Sequence, residues 1–224
     1  MAAPNTVDLA IHFNNVGAQL MQQGQFINAI PYFQKALNKV KEEMDVLEGT
    51  KQIWDGPETL SFHMADMDAM NLEQDEFIFK SPIFVAAVED GIDRFPFESL
   101  ARFSFSLLYN LAVAMHVGGL GSQEKHVIER RIKKSLVFYE LAYNMMQDEQ
   151  IHGLTETMAI INNIAHVQTA VGNIGKSNQC YKSLLSIMVC VTDCGQQKSV
   201  LQFDRFYENA LTALMPQAPV AEAA

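Results

Sequence analysis

Cysteine is scarce in this chain: Cys180, Cys190 and Cys194 are the only three in 224 residues, and none forms a CxxC pair. An odd number at that spacing argues against a disulfide framework and against a zinc site. Cys190 and Cys194 are four apart, a spacing that suits two thiols buried on one helix face. Positive charge is scarce too. Sixteen Lys and Arg stand against 26 Asp and Glu, a net charge of −10, so the broad basic face that nucleic-acid binding needs is missing. No apolar run reaches the roughly 20 residues of a membrane-spanning helix. The opening MAAPNTVDLA lacks a basic leader followed by an apolar core. The expectation is a soluble cytoplasmic protein with no nucleic-acid or membrane partner. Catalytic signatures are absent as well: there is no phosphate loop, GxSxG, HExxH or dinucleotide fingerprint. His12, His116, His152 and His166 have no second ligand at metal spacing. Neither an enzyme nor a bound metal or cofactor is expected.

What the chain has is apolar residues, 49% of the total, enough for a substantial core. Its charge is uneven. Residues 44 to 104 hold 13 Asp and Glu against 4 Lys and Arg, a balance of −9, and the remainder holds 13 against 12, a balance of −1.

A pattern recurs three times. In HFNNVGAQLMQQG, LLYNLAVAMHVGG and IINNIAHVQTAVG a large residue precedes another by three and a small one by four. The sets are Phe13, Val16, Gly17; Leu108, Leu111, Ala112; and Ile161, Ile164, Ala165. A glycine follows seven residues later, at Gly24, Gly119 and Gly172. A second helical pattern then reads Ala29, Phe33, Ala36; Ser135, Tyr139, Ala142; and Ser177, Tyr181, Leu184. Small residues let two helices approach closely while large ones fill the flanks. The glycine marks the turn between them. Pro31 falls near the first turn of its helix, where a missing N–H costs little.

These spacings resemble the tetratricopeptide repeat family, whose unit is 34 residues. The first repeat, 10–43, matches nearly throughout but has Lys41 where the family usually has proline. The second, 105–149, carries about 11 extra residues before Ser135. The third, 158–191, departs at Gln168 and Leu184. The resemblance implies an all-α fold: a right-handed superhelix of antiparallel helix pairs, closed by a capping helix over 197–215 and followed by a flexible tail, 216–224. The whole of 1–224 then forms a single domain.

Between the first two repeats lies an insert, 44–104, holding the only tryptophan, Trp54, and half of the phenylalanines. Its first part is acidic, Met-rich and aperiodic, which reads as loop. EFIFKSPIFVAAV is rich in β-formers and reads as one or two short strands around Ser81–Pro82. A helix follows from near Phe97. The basic cluster Arg130, Arg131, Lys133 and Lys134 is a candidate dock for the acidic insert, or else a solvated helix face.

One column carries chemistry. The residue before each second large position is asparagine: Asn15, Asn110 and Asn163. In the family this position lies on the concave face. An amide there can donate to and accept from one peptide unit, which grips extended backbone without reading side chains. Asn14, Gln22, Tyr109, His116, Asn162 and His166 are expected on the same face. They make a mostly neutral groove with two histidines able to gain charge in mildly acidic solution. Family members that clamp a C-terminal carboxylate use Lys and Arg. The matching positions here are Asn14, Ala18, Asn110, Ala159 and Asn163, and only Asn110 agrees, so acidic chaperone tails are not expected partners. The resemblance implies a non-enzymatic adaptor that takes an extended peptide or a helix of a partner protein. The alternative is a structural subunit that uses its outer surface and acidic insert.

Overall fold

The computed structural model describes residues 6–50, 59–65, 67, 77–88, 96–148 and 153–215. Among them the chain is mostly helical, with α1 Thr6–Gln22, α2 Phe26–Thr50, α3 Pro96–Leu120, α4 Lys125–Asp148, α5 Leu154–Ala170, α6 Ile174–Asp193 and α7 Phe203–Leu214. Two strands, β1 Thr59–Met64 and β2 Ile83–Val88, pair antiparallel with Thr59 opposite Val88 and Met64 opposite Ile83. By contact the chain divides into two compact units. One comprises Met1–Leu72 and Phe79–Gly153, the other Glu73–Ile78 and Leu154–Ala224.

In the first unit, α1 and α2 form one helical hairpin, α3 and α4 another, and α2 packs on α3. Gly24 closes α1 with a φ of 74°. Gln25 N–H reaches Leu20 O at 2.8 Å and Gly24 N–H reaches Met21 O at 2.9 Å. That pair of bonds is the Schellman motif, which needs a left-handed residue that glycine supplies without strain. Gly119 has a different role. It lies inside α3, which runs on to Leu120, and a Cβ placed on it would sit 3.1 Å from Arg131 Cβ. The expected turn glycine is therefore a close-approach glycine between α3 and α4. α2 passes through Pro31 uninterrupted. Along both second helices the small–aromatic–small triads, Ala29, Phe33, Ala36 and Ser135, Tyr139, Ala142, are fully buried.

Contrary to the reading of the sequence, one stretch among the described residues does satisfy the length and apolarity of a membrane span. It is Ser99–Leu120, 22 residues of α3, and 89% of its most apolar window is buried within the protein. Arg102 is its only charge. Serines at 99, 104 and 106 break up the apolar run in sequence, yet they are buried with it.

In the second unit, α5 and α6 form a hairpin closed by Gly172, φ 81°, through the same two bonds: Asn173 N–H to Gln168 O and Gly172 N–H to Thr169 O. Ser177, Tyr181 and Leu184 are buried like their counterparts. The capping segment is not one helix, as the sequence had suggested. A 3-10 turn, Gln197–Ser199, is followed by extended Val200 and left-handed Gln202, φ 56°, before α7 begins. The buried face of α7 is Phe206, Asn209 and Ala210, while Tyr207 is 48% exposed. Cys190 and Cys194 are exposed rather than buried as a pair.

Candidate functional site

The site is built from β2 outward. Ala65 N–H donates to Pro82 O at 3.0 Å across the sheet. Hydrogen-bonded pairs alternate along an antiparallel ladder, so Pro82, Phe84, Ala86 and Val88 turn their polar backbone toward β1. Ile83 and Val85 turn theirs to the opposite edge. In a central strand those groups would meet a third strand. Here they meet asparagines.

Asn110, on α3, takes Ile83 on both sides: Ile83 N–H donates to Oδ1 at 2.8 Å and Nδ2 donates to Ile83 O at 2.8 Å. Asn15, on α1, does the same to Val85, at 3.0 and 2.7 Å. Asn14 Nδ2 adds a second bond to Ile83 O at 3.0 Å and donates to Asn15 Oδ1. Asn110 Nδ2 in turn donates to Asn14 Oδ1 at 3.0 Å. Tyr109 Oη donates to Ser81 O at 3.3 Å. Ser81, Ile83 and Val85 are thus held at every second residue along one edge, the two-residue period of a strand. Asn14 and Asn110 are fully buried, as is Ser81, and Ile83 and Val85 are 2% and 1% exposed. Buried amides cost free energy unless satisfied, and this network satisfies them mutually.

The second unit repeats the arrangement. Phe77 N–H donates to Asn209 Oδ1 and Asn209 Nδ2 donates to Phe77 O, both at 3.4 Å. Asn162 Nδ2 donates to the same carbonyl at 3.0 Å and to Asn163 Oδ1 at 3.2 Å. Asn209 Nδ2 donates to Asn162 Oδ1 at 2.7 Å. Bond for bond, Asn162, Asn163 and Asn209 stand to Phe77 as Asn14, Asn15 and Asn110 stand to Ile83. The Phe77 ring lies under Arg205, 4.5 Å from guanidinium carbon to ring centroid, and edge-on to Phe206.

Asn14, Asn15, Tyr109 and Asn110 therefore come together on the backbone of Ser81 and β2, and Asn162 and Asn163 come together beside the Phe77 carbonyl. His116 does not line such a groove: it is buried, with Nδ1 3.3 Å from Tyr139 Oη and the two rings edge-on. His166 is buried as well, and Gln22 is exposed at the end of α1. His152 lies outside the described residues. Asn209 is the residue that the sequence reading missed. Its signal was present, since it follows Tyr207 by two as Asn15, Asn110 and Asn163 follow Phe13, Leu108 and Ile161. Substituting Asn209→Ala should cost about 1–2 kcal/mol, because the long bonds to Phe77 are weaker than those to Ile83. Hydrogen exchange at the Phe77 amide measures this, and unchanged protection there would refute the grip.

Among the described residues no carboxylate of the insert pairs with the basic cluster. Arg131 Nη1 donates to Gly118 O at 3.2 Å, and much of the acidic half of the insert lies outside the described residues. Among the described residues no three His, Cys, Asp or Glu side chains gather as metal ligands. No family model matches the chain, and no curated protein matches it in sequence.

Proposed function

We propose that the chain is a non-enzymatic protein-interaction scaffold of the tetratricopeptide type, in which the asparagine ladder clasps the chain's own insert and partners dock on the outer helical surfaces. One observation carries this reading. Asparagines at equivalent positions of successive first helices hold alternate residues of an extended segment by backbone alone, and the segment they hold belongs to the same chain. A tetratricopeptide-like groove suits such an occupant. The burial of Ile83 and Val85 favours the structural-subunit form of the scaffold over an adaptor that admits a foreign peptide there. A foreign peptide would first have to expel β2 and expose its apolar face.

The test is photo-crosslinking of the tagged chain in native lysate, with the label carried in turn on α1, α2, α3 and α4. Saturable crosslinks from α2 and α4 are expected. Crosslinks confined to α1 and α3, with faster amide exchange in β2, would return the groove to a foreign peptide. An absence of saturable crosslinks would end the scaffold reading.

A further inference from the structure

A cleft of about 320 Å³ opens in the first unit between α2, α3 and α4, lined by Ile27, Ile30, Pro31, Met115, Arg130, Arg131 and Lys134. Its lining combines four apolar residues with three cations. Arg130 and Lys134 are exposed and pair with no carboxylate among the described residues. Arg131 spends one donor on Gly118 O and keeps the rest of its guanidinium fork. Among the described residues no carboxylate neutralises these three cations, although the chain carries a net charge of −10.

The surface continues beyond the cleft. Arg130, Lys134, Val137 and Leu141 follow one another by four, three and four residues, so they share one stripe of α4. Val137 and Leu141 are large apolar residues left 53% and 48% exposed, and Ile27 in the cleft lining is 40% exposed. From Lys134 to Leu141 the stripe extends about 10 Å along the helix. A free phosphate or a single carboxylate would satisfy the cations and leave that apolar length uncovered.

We infer that this surface docks a peptide segment of a partner protein that is acidic at one end and apolar at the other. Carboxylates meet Arg130, Arg131 and Lys134, a large apolar side chain enters the cleft over Ile30 and Met115, and further apolar residues cover Val137 and Leu141. Charge complementarity sets the orientation and the rate of encounter, and apolar burial supplies most of the affinity. The inference rests on the scaffold reading, because it names one outer surface and the chemistry that fits it.

Fluorescence anisotropy with a labelled synthetic peptide tests it, a run of glutamates followed by leucines at helical spacing. Saturable binding to the full chain is expected, weakening about tenfold in the R130E/K134E variant, which corresponds to about 1.4 kcal/mol. A similar loss is expected in V137S/L141S, whose substituted side chains are exposed so that the fold persists. Added salt should weaken binding to the wild type and have less effect on R130E/K134E. Equal binding of a leucine-free glutamate peptide, or competition by inorganic phosphate at matched concentration, would reduce the surface to an anion patch and overturn the proposal. So would binding that neither variant alters, or none at all. If the peptide fails while crosslinks to α2 and α4 persist, the cleft assignment falls and the scaffold reading stands.

Discussion

Asn110→Ala should destabilise the first unit by about 2–6 kcal/mol, the sum expected when two buried polar groups lose their partners. The variant leaves Ile83 N–H without an acceptor and Asn14 Oδ1 without its donor from α3, while Ile83 O keeps Asn14 Nδ2. Neither orphan can turn to water, because Asn14 is fully buried and Ile83 is 2% exposed. Chemical denaturation followed by circular dichroism gives the total loss. Hydrogen exchange locates it: the Ile83 amide should lose protection before the α1–α2 hairpin does. Asn15→Ala supplies the comparison. Its site at Val85 is only half-buried on the asparagine side, so about 1–2 kcal/mol is expected. Equal protection of Ile83 in wild type and Asn110→Ala would mean that the ladder does not hold β2.

The two grips also explain why so many amides stand in one column. A helix cannot offer its own backbone to a strand, because its N–H and C=O groups are already paired along the axis. An asparagine side chain carries the same donor and acceptor as a peptide unit, so a helix that bears one can stand in for a neighbouring strand. The free edge of β2 is thereby closed, which removes an exposed ladder that would otherwise invite pairing with other chains.

That chemistry was legible in the sequence. The large–large–small spacing placed Gly17, Ala112 and Ala165 in the core, and the asparagine column followed from it. The identity of the occupant was not legible. Asn15 and Val85 are 70 residues apart in sequence, and no local pattern says which distant segment completes a set of hydrogen bonds. β1 was hidden for a second reason. In TLSFHM the buried face holds Leu60 with Phe62 and Met64, while Ser61 and His63 face solvent, and a strand so short among acidic neighbours reads as loop. Asn209 escapes the pattern because Ala210 and Leu211 reverse the large–small order seen in the other three sets. Gly119 misled because a glycine near a helix end fits two roles, a left-handed turn or a close approach, and only packing decides between them.

The small residues of the opening segment lead to the last expectation, that Gly17→Val costs about 3 kcal/mol through overpacking. A Cβ built on Gly17 lies 2.7 Å from Phe33 Cε1, 2.8 Å from Cζ and 3.0 Å from Cδ1. The Phe33 ring has nowhere to retreat: it is fully buried, as are Ala29 and Ala36 on either side of it along α2. Gly17 is helical, so the penalty is steric and owes nothing to a special φ. Helix propensity works in the opposite direction, because glycine is a poor helix former and its replacement should be mildly favourable on an isolated helix. Contact and propensity therefore have opposite signs at this residue, and the sign of the measured change reports which governs. Thermal unfolding of Gly17→Val alone and in combination with Phe33→Leu separates them. The double variant should recover part of the loss, since the shorter side chain vacates the volume that the new methyls need. A single variant as stable as the parent would mean that α1 and α2 can separate freely. The close approach would then not be what selects glycine at position 17.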